Sequence, residues 1–501
     1  MSLLGLDIGT SGCKATIIDC EGNVKGQAYQ EYSLATPNPG WEELDPDLVW
    51  KSVQTVIKKS LEGYKGDSIK AISVSSFGEA VIPIDHDGNV LHNSIIYIDV
   101  RGQEEAAYLK SRLGNDKILG ITGTLAHPMY SICKIMWMKK HRPEIYKKTW
   151  KFLLFADFVL FKLGAKPHTD YSLAARTMAF DIINKRWSPE ILECAEVEEN
   201  KFGEAVQAGT VVGELSKEIA EELGLPRGVI LVAGGHDQPC AALGAGVIKS
   251  NLAVDGLGTT ECVTPAFDRA ILSDTMANNN FACVPHVVRD MYVTYAFTFT
   301  SGSVLKWFRD NFGSIYLGDA VKSNVNLYSL LIEKAINCQT DIFLLPHFAG
   351  AATPYMDMEA KGAIIGLSIN TKAEEIIKAI LEGITFEIMV NVERLEEAGI
   401  NIDELRAVGG LAKSDQYLQL KADIMGRKVT SMQVSEAGTL GVAILAGTAS
   451  GMFGSIEEAV KCLVKTKKEF YPDKKLHDIY MEKFQTYKKI YPAVKNIFNR
   501  Q

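Results

Sequence analysis

An apolar run over residues 3–8 leads straight into Asp7-Ile8-Gly9-Thr10-Ser11-Gly12-Cys13-Lys14, and a second, Leu252–Gly256, ends in a similar turn, Gly258-Thr259-Thr260. This duplication constrains the fold more than any other feature. A chain that twice delivers a strand to a Gly/Thr turn is expected to contain two similar α/β units. Its 501 residues also exceed what one ordinary core serves. The small-residue stretch Gly244-Ala245-Gly246 suits a boundary, giving domains 1–246 and 247–501. With no Pro-, Ser- or charge-rich linker there, the domains are expected to hinge closely around a cleft.

The first strand continues into strands at Ala15–Ile18 and Val24–Tyr32, a hairpin meander with Gly/Asn turns. Asp45 is suited to cap a helix that Pro46 opens and that runs to Leu61, before a strand at Ile69–Ser75. Helical periodicity dominates from Gln103 to Phe161, with Trp150–Phe161 read as one buried helix. A strand over Val229–Val232 then meets glycines and a small-residue helix, Pro239–Gly246. In the second half, Lys372–Glu396 reads as one long helix, and a strand over Leu405–Val408 enters Gly409-Gly410 ahead of another helix.

Charge and cysteine usage exclude several classes. The net charge of −8 disfavours nucleic acid as a partner, and the lysines of 461–489, interleaved with acids, suit a solvated helical edge. Nine scattered cysteines with no CxxC pair fit neither a disulfide framework nor a thiolate metal site. No apolar run is long enough to span a bilayer, and the start lacks a secretion-signal pattern, so a cytoplasmic setting is expected.

Four constellations carry chemistry. In the first turn, Gly9 and Gly12 free backbone amides to face an anion, Thr10 and Ser11 add hydroxyls, and Lys14 offers a point charge. Asp7 beside a phosphate makes sense only with a cation, most naturally hydrated Mg²⁺. The second turn, Gly258-Thr259-Thr260 behind Asp255, echoes the first. In Gly234-Gly235-His236-Asp237-Gln238-Pro239, Asp237 falls at or near a helix N-cap, where it could cap the helix or take a proton from an attacking alcohol at an ordinary carboxylate pKa. Gly409-Gly410-Leu411-Ala412-Lys413-Ser414 is a tight turn against which an adenine ring could lie. There is no GxxxxGK[ST] and no GxGxxG between strand and helix.

In this order the four motifs resemble the FGGY carbohydrate kinase family, within the actin-like ATPase superfamily, over essentially the whole chain. The resemblance implies two ribonuclease-H-like α/β domains around a deep cleft, closing over ATP, Mg²⁺ and a small sugar or polyol. It makes Asp237 the catalytic base and, with Asp7, a metal-site residue. It assigns Gly9, Thr10, Ser11, Lys14, Gly258, Thr259, Thr260, Gly409, Gly410, Leu411 and Ser414 to the nucleotide, and Glu79, Trp41, Asp99 and Gln238 to the acceptor. Arg176-Thr177 falls in a further family segment, and a homodimer is the family-based expectation. Glycerol kinases carry arginine–glutamate where this chain has Gly78-Glu79, and xylulokinases carry methionine–histidine, so the acceptor stays open; the room freed at Gly78 is expected to admit a larger substrate. Two readings compete with a kinase: a non-catalytic sugar or nucleotide sensor, and an actin-like structural ATPase.

Overall fold

The computed structural model describes residues 1–433 and 436–498. Two mixed sheets organise it. The first is built from β1 (Ser2–Ile8), β2 (Gly12–Asp19), β3 (Val24–Glu31), β4 (Ile69–Ser76), β5 (Val211–Glu214) and β6 (Ile230–His236), in the order β5-β6-β4-β1-β2-β3. Central β1 pairs antiparallel with its hairpin partner β2 and parallel with β4. The second sheet repeats this plan: β7 (Asn251–Leu257) pairs antiparallel with β8 (Glu261–Phe267) and parallel with β9 (Ile402–Gly409). Beyond β9 lie β10 (Lys428–Met432) and β11 (Thr466–Phe470). The expected duplication is therefore present as two α/β domains.

One face of the first sheet carries α1 (Pro46–Leu61) and α2 (Phe155–Leu163). The Asp45 carboxylate accepts from the Asp47 amide and Pro46 opens α1, as the residue pattern predicts. Gly26 lets α1 close down, since a Cβ there would stand 2.1 Å from the Ser60 carbonyl oxygen. The stretch expected as one helix from Trp150 divides instead: Lys151–Leu154 is a strand paired with Val81–Ile84, and α2 starts at Phe155. An apolar run this short satisfies either periodicity, and a partner strand distant in sequence decided it.

A short helix, α3 (Tyr171–Ala175), precedes α4 (Asp237–Gly244) in the first half; α5 (Ala373–Glu397), α6 (Asp415–Met425) and α7 (Ala437–Ala449) belong to the second. The other face of the first sheet is covered by α7, a helix from the far half of the chain, which packs on β1, β4 and β6 and against α4. Small residues permit the approach. A Cβ at Gly5 would lie 2.4 Å from the Thr439 carbonyl oxygen, and one at Gly441 1.9 Å from that of Cys240. Among the described residues, no helix is long and apolar enough to cross a membrane.

Candidate active site

The carboxyl ends of β1, β4 and β6 meet at one edge of the first sheet. A single rung there sets Tyr29, Lys14, Asp7, Ser75 and Gly235 opposite one another in successive strands. Opposed residues project from the same face of a sheet. Ser75 Oγ accordingly donates to Asp7 Oδ1 at 2.6 Å, and Lys14 Nζ pairs with Glu436 at the start of α7. Burial pushes the Asp7 carboxyl above its ordinary range, against the pull of Ser75 and Lys14. The turn itself is held by Gly9 N–H donating to the Gly12 carbonyl at 2.9 Å and Tyr32 OH donating to the Gly9 carbonyl at 2.6 Å.

Strand β6 runs further than expected, through both glycines to His236. Gly234 lies so close to β4 that a Cβ would stand 1.9 Å from the Val74 carbonyl oxygen, and one at Gly235 would meet Val287 at 2.5 Å. His236 therefore becomes the N-cap, and Asp237 is the first residue of α4. Asp237 Oδ1 lies 3.2 Å from His236 Nε2 without hydrogen-bond geometry, and among the described residues this oxygen has no other partner. His236 is held neutral by burial and by Arg176, its Nδ1 3.0 Å from Tyr295 OH. The Asp237 side chain keeps 35% of its surface open through the cleft, yet it is ringed by protein. That enclosure, with the charges of Asp7 and Glu79, raises its pKa to about 7, well above the ordinary value expected from the sequence.

Glu79 sits in a tight turn at φ 66°, in which Ala80 N–H donates to the Gly78 carbonyl at 2.8 Å. This left-handed conformation costs a non-glycine residue about 1 kcal/mol or more. The carboxylate pairs with Arg176, which closes α3; Asp170 caps that helix through the Ser172 and Leu173 amides. Ser172 Oγ also accepts from the His236 amide at 2.9 Å, tying the helix that Arg176 closes to the end of β6, next to Asp237. The room expected at Gly78 is filled: a Cβ there would stand 2.7 Å from Arg176 Cγ.

Asp99, buried, and Trp41, partly buried, form a separate assembly. Arg101 donates to both Asp99 oxygens and to Glu43, and its guanidinium lies 4.1 Å from the Trp41 ring centre. Asp99 also accepts from the Glu42 amide, which leaves its carboxylate closed off from the cleft. Gln238 follows Asp237, half-buried, on the first turn of α4. Tyr97, from the same segment as Asp99, does reach the site: burial raises its pKa, and the charges of Glu79 and Asp237 add to the shift.

In the second domain, Gly258, Thr259 and Thr260 form an exposed tip, and Leu257 pairs with Gly409, so the second Gly/Thr turn and the Gly409-Gly410 turn stand side by side. Gly409 takes φ 101° and approaches β7 so closely that a Cβ would lie 2.6 Å from the Leu257 carbonyl oxygen. Leu411 begins a short turn of helix, and Ser414 caps α6 through the Tyr417 amide. Asp255, the counterpart of Asp7, is fully buried and neutralised by Lys421 at 2.8 Å, which also pairs with Glu261. Burial raises the Asp237 pKa, and of the two carboxylates preceding the turns it is Asp7 whose charge adds to the shift. Arg176 lies in a segment that the family resemblance marks, but nothing local gave its role; Tyr130 and Tyr295 carried no local motif that would have marked them.

A model of the N-terminal domain of the FGGY family of carbohydrate kinases matches residues 2–244, and the C-terminal-domain model matches residues 256–450. The chain belongs to this family. This FGGY kinase is 29% identical to the xylulose kinase of Bacillus subtilis (strain 168) over 99% of its own length and 97% of the relative's. It is 30% identical to the glycerol kinase of Thermococcus gammatolerans over 94% of its length and 93% of the other's. A ligand-bound xylulose kinase from Lactobacillus acidophilus superposes with a TM-score of 0.89 at 24% identity, over 99% of both chains, a likeness of fold.

Proposed function

We propose that this FGGY kinase transfers the γ-phosphoryl group of ATP to a hydroxyl of a small ketose, xylulose-like, or sugar alcohol, with Asp237 as the base. The observation that carries the reading is the Asp237 oxygen left unpartnered among the described residues, on a carboxylate whose pKa, raised to about 7 by burial and by the charges of Asp7 and Glu79, suits proton transfer at neutral pH. In this reading residues 1–246 hold the acceptor and the base, and 247–501 hold the nucleotide. Identity alone does not select the acceptor, since the xylulose kinase and glycerol kinase relatives match almost equally well.

Asp237 takes the proton of the acceptor hydroxyl as that oxygen bonds to the γ-phosphorus, and the bond from phosphorus to the ADP oxygen breaks. Gly258–Thr260 and Gly410 give the nucleotide open backbone: a Cβ at Gly258 or Gly410 would meet nothing closer than 3.4 Å. Asp7 and Asp237 form a two-carboxylate set, which suits Mg²⁺, a cation that keeps most of its waters. When bound, Mg²⁺ would neutralise phosphate charge beside these carboxylates. Closure of the two domains would exclude water as a rival acceptor.

The test is ATP-dependent phosphorylation across ketopentoses, tetritols, pentitols and aldonates. Asp237→Asn is expected to lower kcat by about 10³-fold with nucleotide affinity retained. Because the base works ionised, kcat/KM should rise with pH through about 7. Full activity in the Asn variant, or no turnover of any acceptor, would remove the assignment.

A further inference from the structure

Arg176 is buried, its side chain 7% accessible. Its Nε and Nη2 both go to a single oxygen of Glu79, Oε1. Its Nη1 is enclosed and makes no well-formed hydrogen bond among the described residues, although the Tyr130 hydroxyl lies close enough to the guanidinium to interact with it. Buried donors are paired in nearly all proteins, so an orphan beside a reacting carboxylate calls for a ligand atom. The guanidinium cannot swing away to find one: it lies 5.3 Å from the Tyr130 ring centre and 5.6 Å from that of Tyr295. Its stem fills the space that a side chain at position 78 would take, with Cγ 2.7 Å and Cβ 2.9 Å from where that Cβ would stand. Glu79 Oε2 accepts nothing from the protein among the described residues. A fixed donor and a free acceptor therefore sit together near Asp237.

We propose that Arg176 is a specificity-determining residue of the acceptor site, its Nη1 donating to one oxygen of the bound sugar or polyol while Glu79 Oε2 accepts from the neighbouring hydroxyl. The inference rests on the acceptor-site reading above and narrows it. The substrate carries two adjacent oxygens near the hydroxyl that is phosphorylated, and an analogue lacking the oxygen that meets Arg176 is rejected. A site built to hydrogen-bond an oxygen discriminates strongly against its absence, because the protein group is left unpaired.

The test uses calorimetric binding, which needs no turnover, of pentuloses and pentitols beside their single-deoxy analogues. In the wild-type protein, removal of one particular oxygen is expected to weaken binding about 100-fold. In Glu79→Gln/Arg176→Met, which removes the ion pair without stranding a buried charge, that penalty should shrink to less than about 10-fold. If this variant does not fold, Gly78→Ala makes the same comparison, because the added Cβ displaces the Arg176 stem while keeping its charge. A folded variant that keeps the wild-type preference would overturn the proposal, as would a wild-type protein indifferent to every deoxy position or binding none of these compounds. Arg176-dependent binding with no phosphoryl transfer would instead sink the kinase assignment and leave this one standing.

Discussion

Asp237 illustrates how a single residue trades stability for chemistry. Its carboxyl has a pKa of about 7 in the folded protein, so the native state binds this proton more tightly than the unfolded chain does. The sign follows from that. Between roughly pH 4, the ordinary carboxylate range, and about 7, acidification favours the folded form, and above about 7 the native state carries an ill-solvated charge. Asp237→Asn removes the charge, so its melting temperature is expected to exceed the wild-type value at pH 8 and to approach it at pH 5, read by scanning calorimetry. A difference that is equal at both pH values would mean that the charge is not the cause. Asp237 was legible in the sequence because strand, glycines and helix start are local signals. Arg176 was marked only as part of a family segment; its role was not legible, because that role comes from Glu79, 97 positions away, and from a Cβ that Gly78 lacks.

At the scale of elements, the contact between α4 and α7 shows why helix glycines resist reading from sequence. In an isolated helix Gly→Ala is stabilising by about 1 kcal/mol. At Gly441, however, the added Cβ would stand 1.9 Å from the Cys240 carbonyl oxygen, and at Gly244 the same distance from that of Ala437. Overpacking of this kind costs about 1–3 kcal/mol or more, and because the clash is with backbone it outweighs propensity. Gly441→Ala is expected to lower stability by about 2 kcal/mol in urea melts. Gly120, on the helix Asn115–Thr122, has nothing within 4 Å of its missing Cβ, so Gly120→Ala should raise stability by up to about 1 kcal/mol. Equal effects at the two sites would refute the close-approach account. The strands, the turns and α1 were legible because their periodicity and caps are local. Which helix crosses which was not, since small residues look alike whether they face a partner helix or form a weak segment of an exposed one.

At the scale of the whole molecule, the two halves are interlocked rather than merely adjacent. Helix α7 belongs to the second half by sequence but buries Leu440, Val442, Ile444 and Leu445 while covering the first sheet. Exposing those four side chains would cost on the order of 6–12 kcal/mol at about 1.5–3 kcal/mol each. That rivals the whole stability of a typical domain, about 5–15 kcal/mol. Two-domain chains commonly melt in separate steps. Here neither half can unfold without uncovering the other, so a single calorimetric transition is expected, with calorimetric and van't Hoff enthalpies close to equal. A second link supports this: Lys14 and Glu436 pair across the halves at a half-buried position, while α4 packs tightly on α7. The same expectation applies to a chain cut after residue 246: the first piece alone should bind the apolar dye that reports exposed core, and adding the second piece should suppress that binding. Two resolved transitions in the intact protein, or a compact and cooperatively melting first piece, would show that α7 is an ornament of the first sheet and not its cover.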